Sequence, residues 1–134
     1  MSQPRPCIAV VDDDESICRA LRRLVRSVGM DAETFASGQE FIDLITAVPS
    51  FRADCVILDV RMPGLNGLEV QERLARTGRR LPVVFITAHD DGGERDRALA
   101  AGAVAFLRKP VNDEVLIGTL RAALEGGAGP RRGS

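Results

Sequence analysis

The chain has 134 residues, 45% hydrophobic and 28% charged, enough for one well-filled core and too short for two. Its net charge of −1 offers no general basic face, so no direct nucleic-acid binding is expected. No apolar run nears the ~18 to 20 residues of a membrane span, and the opening Met-Ser-Gln-Pro-Arg-Pro lacks the apolar segment of a signal peptide, so the expected setting is cytoplasmic, with no membrane partner.

Ile8-Ala9-Val10-Val11 reads as a buried strand, and Asp12-Asp13-Asp14-Glu15 follows it. Ile17, Leu21, Leu24, Val25 and Val28 recur at helical spacing, with Arg19, Arg22, Arg23 and Arg26 mostly opposite, until Gly29 stops the pattern. Asp31 to Phe35 carries Asp31 and Glu33, which suits a strand at a sheet edge. Ser37 and Glu40 have capping-box spacing ahead of Phe41, Ile42, Leu44 and Ile45, and Pro49 closes that helix.

Cys55-Val56-Ile57-Leu58 is a central strand that ends at Asp59, and Met62-Pro63-Gly64 turns the chain. Asn66 then caps a helix with Glu69 reaching back, Val70 and Leu74 facing the core before Gly78. Pro82 introduces the strand Val83 to Ile86, which ends at Thr87. A helix is predicted from Asp90 to Ala101, weakened at its start by Gly92 and Gly93. Val104 to Leu107 is a fifth strand running into Lys109-Pro110. Asn112 caps the last helix, with Val111 and Leu116 as a hydrophobic staple and Leu120, Ala123 and Leu124 continuing the stripe. The expected division is an N-terminal extension (1–6), one domain (7–125) and a flexible tail or linker (126–134).

Cys7, Cys18 and Cys55 lie in apolar patterns without metal spacing and read as reduced core residues. Of the 18 lysines and arginines, only Lys109 is a lysine. That points to a place needing a compact ammonium rather than a planar fork.

Strands alternating with helices imply an α/β fold, a (βα)5 doubly wound sandwich with a five-stranded parallel sheet of order 2-1-3-4-5. Ligands of such a sheet bind beyond the carboxyl ends of its strands. Asp12 and Asp13 follow the first strand, Asp59 the third, Thr87 the fourth and Lys109 the fifth. Singly, each has a plainer role: Asp59 as a helix cap, Thr87 as a strand residue, Lys109 as a solvated charge. Asp14 and Glu15 keep the plainer role of favouring a helix N-terminus. Together, three carboxylates repel one another unless a cation joins them, and an all-oxygen set suits magnesium, which accepts phosphate oxygens. A phosphoryl group is the implied substrate, with Asp59 as nucleophile, Lys109 sharing its charge and Thr87 donating a hydrogen bond.

These segments, Val-Val-Asp12-Asp13-Asp14, Leu58-Asp59-Val-Arg-Met-Pro-Gly, Ile-Thr87-Ala and Leu-Arg-Lys109-Pro110, resemble the signature set of response-regulator receiver domains of two-component systems. Arg-Met-Pro-Gly and Ile-Thr-Ala-His are most similar to receivers that precede LuxR-type output domains. The resemblance implies that Asp59 takes a phosphoryl group from a phosphohistidine of a sensor histidine kinase or histidine phosphotransfer protein. It implies that Asp13, Asp59 and the backbone carbonyl of Arg61 hold Mg2+, Mn2+ being able to substitute, with Asp12 assisting through water. Lys109 would contact a phosphoryl oxygen, and Lys109-Pro110 would be cis. Thr87 and Phe106 would form a switch pair, the ring turning inward as the hydroxyl moves, although Phe106 also reads as core. Arg61 and His89 would tune rates, although His89 also reads as a plain loop residue.

The resulting expectation is a signalling switch that catalyses its own phosphorylation and dephosphorylation rather than an enzyme acting on other molecules. Its output would be a changed surface of the fourth helix, fifth strand and last helix, with a phosphorylation-dependent homodimer as one outcome. The competing readings are a phosphorelay intermediate, a phosphorylation-independent interaction module, and a flavin binder of the same sheet order, whose phosphate the Asp12-Asp13-Asp14 run would repel.

Overall fold

Each apolar run of the sequence is a strand of one parallel sheet in the computed structural model, which describes residues 5–88 and 92–128. The elements are β1 (Cys7–Val11), α1 (Glu15–Ser27), β2 (Asp31–Phe35), α2 (Gly38–Ala47), β3 (Cys55–Asp59), α3 (Gly67–Arg76), β4 (Val83–Thr87), α4 (Gly93–Ala100), β5 (Ala105–Arg108) and α5 (Asp113–Ala128). The strand order is β2-β1-β3-β4-β5, every neighbouring pair parallel. The polar β2 is an edge, with Asp31 and Glu33 exposed, whereas β3 and β4 are buried at every position.

Side chains alternate across a strand, so each strand feeds two cores. Ile8 and Val10, Cys55 and Ile57, and Val84 and Ile86 pack under α1 and α5, against Leu21, Val25, Leu116 and Leu120. Ala9 and Val11, Val56 and Leu58, and Val83 and Phe85 pack under α2, α3 and α4, against Phe41, Ile45, Val70, Leu74 and Ala98. Which side of the sheet a strand-end residue leaves from is therefore settled by its parity.

The caps follow local chemistry, with differences in detail. Asn66 and Glu69 form the complete capping box of α3, each side chain accepting from the other's backbone N–H at 2.9 Å. At α2, Ser37 accepts from Glu40 N at 3.1 Å, but the Glu40 carboxylate takes the N–H of Ala36, one residue upstream of the cap. The helix α4 begins at Gly93 rather than at 90, because Gly92 adopts φ +87 and offers no side-chain cap; positions 90 and 91 lie outside the described residues. The strand β5 starts at Ala105, leaving Val104 exposed, and runs to Arg108. The helix α5 continues to Ala128, past position 126 where a tail was expected. Two glycines at a helix end cost only about 1 kcal/mol each relative to alanine, which an already formed helix tolerates.

Cys18 and Cys55 are buried and Cys7 is half-buried, all three as free thiols. Burial pushes each thiol up, Cys55 to about 12, which keeps them protonated and unreactive. Among the described residues no helix is long and apolar enough to cross a membrane.

One glycine brings a helix up to the end of the central strand. Gly67 N donates to Val60 O at 2.8 Å, and a β-carbon there would run into the Asp59 carbonyl and the Phe85 ring. Gly67→Ala is expected to cost about 1–3 kcal/mol through this clash. Gly118→Ala, which meets open space in α5, is expected to stabilise by about 0.5–1 kcal/mol. Thermal unfolding of the two variants measures both; equal melting temperatures would contradict the close approach.

Candidate functional site

Three charged residues continue the parity of the core beneath α1 and α5. Asp12 stands two residues beyond Val10, Asp59 two beyond Ile57, and Lys109 two beyond Leu107, and those three apolar residues line that same face. The strands thus deliver two carboxylates and one ammonium to the same side of the sheet. Backbone bonds extend the ladders to hold them: Asp12 N donates to Phe35 O at 3.1 Å, and Lys109 N to Thr87 O at 2.8 Å. The Lys109-Pro110 peptide is cis, as the resemblance implied.

The Lys109 ammonium lies between the two carboxylates, 3.0 Å from Asp12 Oδ2 and 3.2 Å from Asp59 Oδ2. Asp12 is 2% and Asp59 7% exposed. The second oxygens accept from the backbone, Asp12 Oδ1 from Asp14 N at 2.9 Å and Asp59 Oδ1 from Arg61 N at 3.4 Å. Burial pushes the Asp59 carboxyl above the ordinary range; Lys109 pulls it down, and the neighbouring Asp12 pushes it up again. Burial pulls the Lys109 ammonium down, but Asp12 and Asp59 outweigh it and its pKa is raised. One cation facing two anions explains the asymmetry: Lys109 has two partners and Asp59 has one.

Asp13 is exposed, and one oxygen each from Asp12, Asp13 and Asp59 lie within 4.8 Å of one another. The set is oxygen-only, which fits magnesium or manganese better than zinc. Magnesium keeps several waters and needs only one or two carboxylates at ~2.1 Å, so the cluster fits such an ion. Asp14, by contrast, is the N-cap of α1, accepting from Ser16 Oγ at 2.6 Å and from Ser16 N and Ile17 N at 2.9 and 3.3 Å. Those bonds pull its pKa down, the Ser16 hydroxyl first.

Thr87 and Phe106 fall on the opposite parity, with Phe85. Thr87 is fully buried. The Phe106 ring, expected to turn inward on switching, is inward here, buried with its centroid 5.8 Å from that of Phe85. Met62 is buried as packing. His89 lies outside the described residues.

Two contacts at this rim were not anticipated from sequence. Arg61 Nη2 reaches Glu94 Oε2 on α4 at 3.6 Å, and Arg95 Nη1 donates to Phe106 O at 3.0 Å on the free edge of β5. Neither residue belongs to a periodic pattern. The only sequence signal was acidic character in the first turn of α4, which reads as an ordinary helix-dipole charge.

Residues 8–121 match the family model for the response regulator receiver domain. The chain belongs to this family. It is similar to response regulator protein TodT of Pseudomonas putida, 42% identical over 93% of this chain and 54% of the relative. It is likewise similar to nodulation protein W of Bradyrhizobium diazoefficiens, 42% identical over 88% of this chain and 51% of that one. The receiver thus spans about half the length of these curated relatives. A crystal structure of a response regulator receiver protein from Burkholderia phymatum superposes with a TM-score of 0.81 at 61% identity, covering 90% of this chain and 96% of that one. The receiver is accordingly a signalling domain of two-component systems, not a conventional enzyme.

A carboxyl whose pKa is raised in the fold gives stability that is present below its unfolded pKa and is lost as pH rises through the folded pKa. At neutral pH, where the unfolded carboxyl is ionised, Asp59 therefore opposes folding, Lys109 notwithstanding. Asp59→Asn is expected to melt at a higher temperature than the unaltered receiver at neutral pH without divalent metal, the gap narrowing on acidification. A lower melting temperature would contradict this.

Proposed function

We propose that this receiver accepts a phosphoryl group on Asp59 from a phosphohistidine of a sensor histidine kinase or a histidine phosphotransfer protein, and that this resets its α4-β5-α5 face. The observation that carries the proposal is the Lys109 ammonium held between Asp12 and Asp59 at 3.0 and 3.2 Å. Buried charges of this kind are poor stabilisers of a fold and suit instead an incoming anion.

In the forward step one Asp59 oxygen attacks the phosphorus, and the phosphorus–nitrogen bond breaks. The departing imidazole keeps the bonding pair and takes up a proton from solvent. Asp59 loses its negative charge as it becomes an acyl phosphate, so the Lys109 ammonium turns to a phosphoryl oxygen while Asp12 keeps it at the rim. Thr87 donates its hydroxyl to another phosphoryl oxygen, and its displacement favours the inward Phe106. Asp13, Asp59 and the Arg61 carbonyl would hold a magnesium ion, with Asp12 acting through water and manganese able to substitute. That ion supplies neutralisation of the charge gathered on the phosphoryl oxygens. Water attacking the acyl phosphate reverses the state, releasing phosphate and restoring the Asp59 carboxylate, at a rate tuned by Arg61 and His89. The altered face then binds its output, a second phosphorylated copy being one such partner.

Incubation with acetyl phosphate and magnesium is expected to add one phosphoryl mass in intact mass spectrometry. Asp59→Asn or a chelator is expected to abolish the addition. An unmodified wild-type chain under these conditions would contradict the proposal.

A further inference from the structure

The helix α4 is thinly attached. Ala98 is its one buried side chain, and Gly92 gives it no side-chain cap. Polar ties do much of the rest: Gln71 Nε2 donates to Ala98 O at 3.1 Å, Arg95 to Phe106 O at 3.0 Å, and Glu94 pairs with Arg61 at 3.6 Å. The last tie leads straight to the acceptor site, because Arg61 stands two residues beyond Asp59 and its own N–H donates to Asp59 Oδ1. The Glu94 side chain is 20% exposed against 48% for Arg61. Its other oxygen, Oε1, is buried without a hydrogen-bond partner among the described residues, so the carboxylate is set into the rim rather than displayed to solvent.

We propose that Glu94 is a positioning residue that draws the Arg61 guanidinium away from the acceptor site, so that this ion pair restrains phosphorylation of Asp59 by small anionic donors. The inference rests on Asp59 being the acceptor. A guanidinium matches phosphate oxygens with two parallel N–H groups, and Arg61 springs from the same rim as the acceptor. While Glu94 holds Arg61, an arriving donor meets the Lys109 ammonium with less help from the guanidinium. Once a phosphoryl group is in place, its charge of roughly −1.5 to −2 outbids the single charge of Glu94. Arg61 then transfers to the phosphoryl oxygens, and the start of α4 loses a tie to the β3–α3 turn. The same ion pair therefore works as a restraint before phosphorylation and as a release afterwards.

The test is a double-mutant cycle on the rate of phosphoryl uptake from acetyl phosphate with magnesium, read by intact mass spectrometry. Glu94→Gln is expected to raise the rate about threefold, the scale of a partly exposed ion pair. In an Arg61→Gln background the same change is expected to do nothing. High salt is expected to shrink the Glu94→Gln effect, since screening weakens the pair it removes, a response that a purely structural role would not give. Glu72→Gln on α3, which removes the same charge from an exposed pair with Arg76, is expected to leave the rate unchanged. Equal effects of Glu94→Gln with and without Arg61, or no effect at all, would overturn the proposal while leaving Asp59 as the acceptor. Failure of the unaltered receiver to take up a phosphoryl group would overturn both.

Discussion

The ammonium of Lys109, shared between Asp12 and Asp59, is the interaction on which the rest of the site depends. Two carboxylates this buried repel each other, and a cation between them offsets that repulsion. The scaffold supplies that cation by parity. Val10, Ile57 and Leu107 face the α1 and α5 side, and the next residue of equal parity on each strand is charged. Because the ladders run one bond past β1 and β5, through Asp12 N to Phe35 O and Lys109 N to Thr87 O, the charged side chains stand on rigid backbone rather than on mobile loops. A site so built is set before any ligand arrives, which is the condition under which electrostatic stabilisation is most effective.

The same sheet keeps charge and packing apart. Asp12, Asp59 and Lys109 occupy one parity, and Thr87 and Phe106 the other. In the proposed switch, a change in charge at Asp59 reaches the helices on the far face through the buried Thr87. On that far face α4 is fastened largely by side-chain hydrogen bonds and an ion pair. Elements held in that way are the ones a protein can rearrange at low free-energy cost.

Much of this was legible in the sequence. Continuous apolar runs ending in polar residues fixed the strands, the charged β2 marked the edge, and Asn66 with Glu69 marked a helix start. Gathering strand ends onto one rim singled out Asp12, Asp13, Asp59, Thr87 and Lys109, and the single lysine stood out because every other basic residue is arginine. Parity along the strands also sorts Asp12, Asp59 and Lys109 onto one side of the sheet and Thr87 onto the other. Other features left no such trace. The close approach at Gly67 depends on where α3 meets β3, and the Arg61–Glu94 pair joins two exposed-looking residues from different elements. The start of α4 depends on the backbone at Gly92, where no capping side chain announces it. The inward Phe106 ring depends on Phe85 across the β4–β5 register, which one strand alone does not reveal.

That the Lys109 ammonium offsets the burial of the Asp59 carboxylate is the central point of the site. It is tested most directly by following the Asp59 carboxyl carbon through a pH titration by NMR, without divalent metal, in the unaltered chain and in Lys109→Gln. A midpoint above the ordinary carboxylate range is expected in the unaltered chain, because burial dominates. A still higher midpoint is expected once the ammonium is gone, because Lys109 is the largest influence pulling it down. An unchanged or lowered midpoint in Lys109→Gln would contradict it.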